Sequence, residues 1–362
     1  MTDIKTETLH GIEIRVITLT NGAVMAKLTD LGARLLELHV PDRDGRTADV
    51  VLQRPGWETI ATDDNYMGAT VGRYANRIRD GRTRIDGRPV QLSVNEGANH
   101  LHGGASGFDR KVWSTELDPD GHAVTFWRIS PAGEEGYPGT LTTRVTYRIE
   151  PAALDILIEA TTDAPTIANI VNHAYFNLGG HDSGTVLDHV LQVNGSHYTP
   201  VTDDLLPTGE IRAVAGTPFD FRTPTPIGKN IAGVGGTGAG RNTESGSGYD
   251  HNWVLDGSGM REVLTVTNPA SGRRLTMSTN QPGVQLYTGG YLAGVSGKSP
   301  ADTYPAFAGF TVETQTFPDA PNQAHFPPAD ARPGQPYRNH QRLEFTTVDS
   351  VMETGFRPVK SD

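Results

Sequence analysis

The chain has 362 residues, 36% hydrophobic and 20% charged, with a formal net charge of −11. The basic footprint that nucleic acid or an anionic membrane demands is missing, so neither is expected as a partner. With no cysteine, a disulfide framework, a cysteine nucleophile and thiolate-bound zinc or iron–sulfur centres are excluded.

The first residues, Met1 to Glu7, are polar and lack the apolar stretch of a signal peptide. No apolar run approaches the ~20 residues of a membrane span, so a cytoplasmic protein is expected. Turn dipeptides then recur at Asn21-Gly22, Asp44-Gly45, Asp80-Gly81, Asp86-Gly87, Asp120-Gly121 and Asp256-Gly257. Between them lie short runs rich in β-branched and aromatic residues: 12–19, 34–40, 123–129, 141–149, 154–161, 167–176, 186–193, 264–267, 275–279, 284–287, 310–315 and 342–348. So many short strands, with 42 glycines and 24 prolines, predict an all-β chain built as an antiparallel sandwich or barrel. Only 57–62 reads as helix. The Gly/Ser-rich stretch 232–248 reads as a mobile surface loop, and the Pro-rich stretch 317–336 as an ordered one. No linker divides the chain, so residues 1–362 are expected to form a single domain.

Five stretches are dense in chemistry-bearing groups. In 72–78, Arg73 and Arg77 flank Asn76 and offer donors to hydroxyls, or else form a charged hairpin edge. In 95–104, His100 and His102 stand two apart, which in a strand puts both on one side, and Gly103-Gly104 permit close approach of a ligand or another segment. No acid at metal-ligand spacing accompanies that pair, so no metal is expected.

In 171–178 the strand period separates His173, Tyr175 and Asn177 from Asn172, Ala174, Phe176 and Leu178. A lone histidine is most often structural. This one has a phenol and an amide on its own face, and imidazole moves protons near neutrality. In 249–253, Asp250 beside aromatic rings suits a sugar, whose hydroxyls want a carboxylate and whose C–H faces want a ring; an aspartate capping its own turn is the plainer alternative. In 310–315, Thr311, Glu313 and Gln315 share one face, with Phe310, Val312 and Thr314 on the other. Glu313 would sit in a largely buried strand, where a carboxylate needs partners or a raised pKa. Such a carboxylate and a histidine, each on a rigid strand, make a base–acid pair.

The blocks GRYANRI (72–78), NHLHGG (99–104), NHAYFNLGG (172–180), YTPVTDDLLPTGEI (198–211), TPFDFR (217–222), YDHNW (249–253), QPGVQLYTG (281–289) and ETQTFPDAPN (313–322) follow one another along most of the chain. In that order they resemble the aldose 1-epimerases. The resemblance implies a large antiparallel β-sandwich with an open cleft for a small-molecule aldose (galactose, glucose or a pentose) and a monomer or homodimer. It also implies interconversion of the sugar's α and β anomers without cofactor or metal. By motif position His173 resembles the family's general acid and Glu313 its general base. Asn76, Arg77, His102, Tyr175, Asp250 and Gln285 fall on positions that bind sugar hydroxyls or orient the catalytic pair. Two departures from the family pattern lie near the expected cleft: a long Gly-rich segment between Gly228 and Tyr249, and Gly290-Tyr291 where an asparagine is expected after Tyr287-Thr288-Gly289.

On this reading Glu313, ionised, takes the proton of the anomeric hydroxyl while His173, protonated, gives one to the ring oxygen. Competing readings are a mutarotase of a modified sugar such as a hexose phosphate, a non-catalytic carbohydrate-binding protein on the same fold, and a glycoside hydrolase using two carboxylates. A phosphate wants a cationic rim, for which only Arg73 and Arg77 are evident.

Overall fold

The structure is a computed structural model that describes residues 2–234, 248–299 and 302–349. Strand accounts for 47% of it and helix for 7%, which makes the chain all-β as its composition predicts. The one α-helix among the described residues is Gly56–Ala61, close to the predicted 57–62, and no helix there is long and apolar enough to cross a membrane.

Three large sheets carry the fold. The N-terminal sheet has five strands in sequence order: Thr2–Leu9, Ile12–Asn21, Val24–Thr29, Arg34–Pro41 and Thr47–Asp49. A nine-stranded sheet runs Ser114–Leu117, Ala123–Ser130, Leu141–Glu150, Ala153–Thr162, Tyr337–Thr347, Arg273–Thr279, Arg261–Thr267, Val190–Val193 and Thr225–Pro226. The third, with six strands, runs Tyr175–Phe176, Phe310–Gln315, Gly283–Tyr287, Asp250–Val254, His197–Thr199 and Arg212–Ala213. Neighbouring strands in it are antiparallel throughout.

Alternation makes these sheets two-faced. Along Leu141–Glu150, Leu141, Thr143, Val145, Tyr147 and Ile149 are buried, while Thr142, Arg144, Thr146, Arg148 and Glu150 are not. Each fully buried aliphatic side chain contributes ~1.5–3 kcal/mol. One apolar cluster draws Ile17, Leu28 and Leu38 from the first sheet, Val145, Ile156 and Leu275 from the second, and Trp253, Val284 and Val312 from the third. The Pro-rich stretch is ordered, as predicted, and sends Phe317 and Phe326 into a second cluster with Tyr74 and Tyr137.

Two differences from the predicted pattern matter for the site. Strand Thr2–Leu9, in which only Ile4 and Leu9 are apolar, carries too many polar side chains to be read as an apolar run. The predicted strand 167–176 is three two-residue pieces, Thr166–Ile167, Val171–Asn172 and Tyr175–Phe176, because the segment changes partners from Asp330–Ala331 to Thr70–Val71 to Phe310–Gln315. Of the predicted loop 232–248, residues 235–247 lie outside the described residues.

Candidate active site

The register of the six-stranded sheet builds one wall of a cleft. Asn252 lies opposite Gln285 and Gln285 opposite Glu313; in the next row Asp250 lies opposite Tyr287, and Tyr287 opposite Thr311, itself opposite Tyr175. Side chains two apart share a face, so this face is polar and aromatic, whereas Trp253, Val284, Leu286, Phe310 and Val312 belong to the core. Glu313 thus stands where strand alternation predicts, 2% exposed, with its Oε1 accepting the Thr311 hydroxyl at 3.0 Å.

His173 comes from the broken segment. Its peptide N–H donates to the Ala69 carbonyl at 2.8 Å and its carbonyl accepts the Gly68 N–H at 3.0 Å, which fixes the backbone between two strand fragments. Its Nε2 is 3.5 Å from Glu313 Oε1. Tyr175, two residues on, keeps the same side, ring centroid 5.2 Å from that of His173. Asn177 does not follow: its amide donates to the Gly184 and Ala308 carbonyls and its Oδ1 accepts the Ser183 hydroxyl, so it serves a turn.

The opposite wall is a pair of left-handed residues back to back. Asn76 (φ 61°) and His102 (φ 51°) exchange hydrogen bonds: His102 N–H donates to the Asn76 carbonyl at 3.1 Å, and Asn76 N–H donates to His102 Nδ1 at 3.1 Å. The second bond assigns the His102 proton to Nε2. Gly103 permits the turn, since a Cβ there would lie 1.7 Å from the Gly72 carbonyl oxygen. His100 is not beside His102 as strand spacing predicts, because the strand ends at Leu101. Its ring nitrogens engage the Ser93 carbonyl and the Tyr137 hydroxyl, away from the cleft. Arg77 lies in the cleft, forked onto Glu96 through Nε and Nη2, both at 2.6 Å. Arg73 points inward instead.

Together these groups line a concavity of about 570 Å³ that holds Asn76, Arg77, His102, His173, Tyr175, Asp250 and Glu313. Gln285 is not on its surface; it lies behind, donating from Nε2 to Asp250 Oδ1 at 2.7 Å, and its own Oε1 accepts the Gln315 amide at 3.2 Å. Sequence reasoning does not single out Tyr66, Glu96 or Tyr287. Tyr66 packs its ring, tilted by 55°, against that of His102, with centroids 4.7 Å apart. Glu96 is legible only as the carboxylate a buried arginine requires. Tyr291, flagged as a departure, does line the cleft, with its N–H donating to the Tyr287 hydroxyl at 2.8 Å.

Electrostatics set the pair apart from ordinary side chains. Burial, then the Asp250 charge, pushes Glu313 up to about 8 against the opposing Thr311 hydrogen bond and Arg77 charge. Burial pushes His173 down to about 4. His102 is held well below its ordinary value by burial and then by the neighbouring His173 and Arg77. His102, His173 and Glu313 offer ligand atoms within 4.8 Å of one another. With His102 Nδ1 already accepting a backbone N–H and its proton on Nε2, the lone pair a metal needs there is in use. The donor set fits a metal poorly and fits proton transfer well.

A family model described as aldose 1-epimerase matches residues 15–344. The chain belongs to the aldose 1-epimerase family. It is an isomerase, interconverting the α and β anomers of a free aldose. A galactose mutarotase of Homo sapiens is 39% identical over 340 residues, 93% of this chain and 96% of that one. An aldose 1-epimerase of Escherichia coli (strain K12) is 34% identical over 341 residues, 92% and 96% of the two chains. Among solved structures, an aldose epimerase homologue from C. elegans superimposes with a TM-score of 0.84 at 30% identity, covering 92% of this epimerase and 99% of that chain.

Proposed function

We propose that Glu313 and His173 carry the reaction, that Asn76, Arg77, His102, Tyr175 and Asp250 hold the sugar, and that Gln285 holds Asp250. Glu313 takes the proton of the anomeric hydroxyl while His173 gives one to the ring oxygen. The C1–O5 bond breaks, C1 becomes an aldehyde and O5 a hydroxyl. Rotation about C1–C2 and closure on the other face, with both transfers reversed, yields the other anomer.

The observation that carries this reading is the buried pair itself, 3.5 Å apart on backbone held from both sides. Burial shifts each member in the direction its role needs. A carboxylate raised to about 8 is a stronger base, and an imidazolium lowered to about 4 is a stronger acid. The ionised pair and the neutral pair hold the same single proton between them. In the free protein burial favours that proton on the carboxyl, whereas the sequence pattern predicts it on the imidazole. The neutral pair is the state that follows ring opening, so the cleft favours the protonation that accompanies the open-chain sugar. Positioned proton transfer contributes ~10²–10⁴-fold per group.

Four carboxyl groups, of Asp64, Glu96, Asp250 and Glu313, face this cleft against the one guanidinium of Arg77. That balance favours a neutral aldose over a phosphorylated one, and galactose, which names the mammalian relatives, is the first sugar to try. A binding protein would have no use for the pair. The core shared by the three sheets supports residues 1–362 as one domain, for which a single calorimetric transition is expected and two separated ones would refute it. The cysteine-free composition suits a cytoplasmic setting.

His173→Asn or Glu313→Ala is expected to lower kcat at least ~100-fold with modest change in KM. Polarimetry on galactose, glucose, xylose and arabinose reads this out. Near wild-type turnover in either variant would remove the assignment.

A further inference from the structure

A second cavity, of about 920 Å³, lies against the five-stranded sheet, far from any role in the mutarotase chemistry above. Lys5, Lys27, Arg54 and Lys298 face it with only Glu7 and Glu37 in opposition, a positive balance on a chain of net charge −11. Two of the four cations are engaged. Lys27 bonds Glu37, and Lys298 bonds Asp49 and the Leu36 carbonyl.

The other two keep donors free of hydrogen bonds among the described residues. Arg54 Nε is shut off from solvent and has no hydrogen-bond partner. Its one ionic neighbour, Asp63, stands 4.0 Å away, is 3.7 Å from Arg34, and already accepts the N–H groups of Asn65 and Met67. The donors of Arg54 within reach of an anion in the cavity are its two Nη nitrogens, which make no hydrogen bond among the described residues. Lys5, exposed on the strand Thr2–Leu9, has no bonded acid among the described residues. Beside them Trp57, half-buried against Leu9 and Ile60, adds an indole surface to the same cavity.

A planar guanidinium and a mobile ammonium next to an aromatic face are the groups that take a phosphate and the C–H face of the ring attached to it. We propose that this cavity binds a phosphorylated monosaccharide, separately from the free aldose in the catalytic cleft. The space is far larger than a bare phosphate fills, and the indole has no use for one. The two sites divide by charge: carboxylates crowd the cleft, whereas cations outnumber carboxylates around this cavity.

The test is isothermal titration of the full chain with glucose 6-phosphate at low salt, with galactose saturating the cleft. Inorganic phosphate and glucose are run as separate arms. Saturable binding of the ester is expected, weaker binding of inorganic phosphate, and none of glucose beyond what galactose displaces. Arg54→Gln should weaken the ester at least ~10-fold. Lys5→Gln, at an exposed position that cannot unfold the chain, should weaken it ~2–5-fold, and His173→Asn should leave it unchanged. Absence of binding to the wild type, equal affinity in Lys5→Gln and wild type, tighter binding of bare phosphate than of the ester, or displacement of the ester by galactose would each overturn the proposal.

Discussion

Arg73 and Arg77 stand four residues apart in one motif and His100 and His102 two apart in another, yet in each case one member faces the cleft and the other is sealed in the interior. Arg73 donates to Ser130 Oγ and to the carbonyls of Ser130, Pro131, Pro138 and Gly139. No donor is left for a ligand. Arg77 gives Nε and Nη2 to Glu96, and no hydrogen bond engages Nη1 among the described residues. Both ring nitrogens of His100 are occupied; His102 has used Nδ1 and keeps Nε2. What distinguishes a functional polar group from a structural one is the hydrogen-bonding capacity remaining after the fold has taken its share.

The largest expected difference comes from breaking the arginine pair. Arg73→Ala leaves several buried acceptors unsatisfied at ~1–3 kcal/mol each, so a loss of roughly 4 kcal/mol or more is expected. The fraction that folds should keep a normal kcat. Arg77→Gln should lower kcat/KM ~10–100-fold, the worth of a charged hydrogen bond to substrate, while denaturant midpoints shift far less. Should the two variants lose comparable stability and Arg77→Gln turn over normally, the contrast is wrong.

A smaller contrast is expected between the histidines. His102→Gln should lower kcat/KM by about tenfold, through one lost hydrogen bond near the reacting atoms. His100→Gln should cost ~1–2 kcal/mol of stability and leave kcat untouched. Equal effects on turnover would mean that the leftover Nε2 of His102 has no role.

Local regularity decided what could be read without the structure. The two faces of Phe310–Gln315 follow from alternation alone because that strand sits inside a regular sheet with a partner on each side. Alternation fails at Asn177 because the Gly184 and Ala308 carbonyls, one of them 131 residues away, capture its amide. The break at His173 is set by segments 68–71 and 310–311, which no window around the histidine contains. The placement of Gln285 behind Asp250 likewise depends on register between strands distant in the chain. Family resemblance supplied the roles of the motif residues. It was silent on Glu96 and Tyr66, which contact Arg77 and His102.

The smallest effect bears on the pair proposed to carry the reaction. Glu313 has an ordinary value of 4.5 and about 8 in the folded chain. Between those values the folded protein keeps a proton that the unfolded chain has released, so this group makes stability fall as pH rises from about 4.5 to about 8. His173 runs the other way: from about 4 to 6.5 the unfolded chain holds the extra proton, and stability rises with pH before levelling off. Glu313→Gln removes only the first contribution. The variant should therefore gain on the wild type as pH rises from 5 to 8, by ~1–2 kcal/mol at the upper end once the attraction of neighbouring cations is allowed for. Wild-type kcat should form a bell over the same window, because only the pair holding one proton is active: acid adds a second, and alkali removes the first. A stability gap constant with pH, or a kcat flat from pH 5 to 9, would mean that the carboxyl is not held protonated in the fold. Its strength as a base would then need another source.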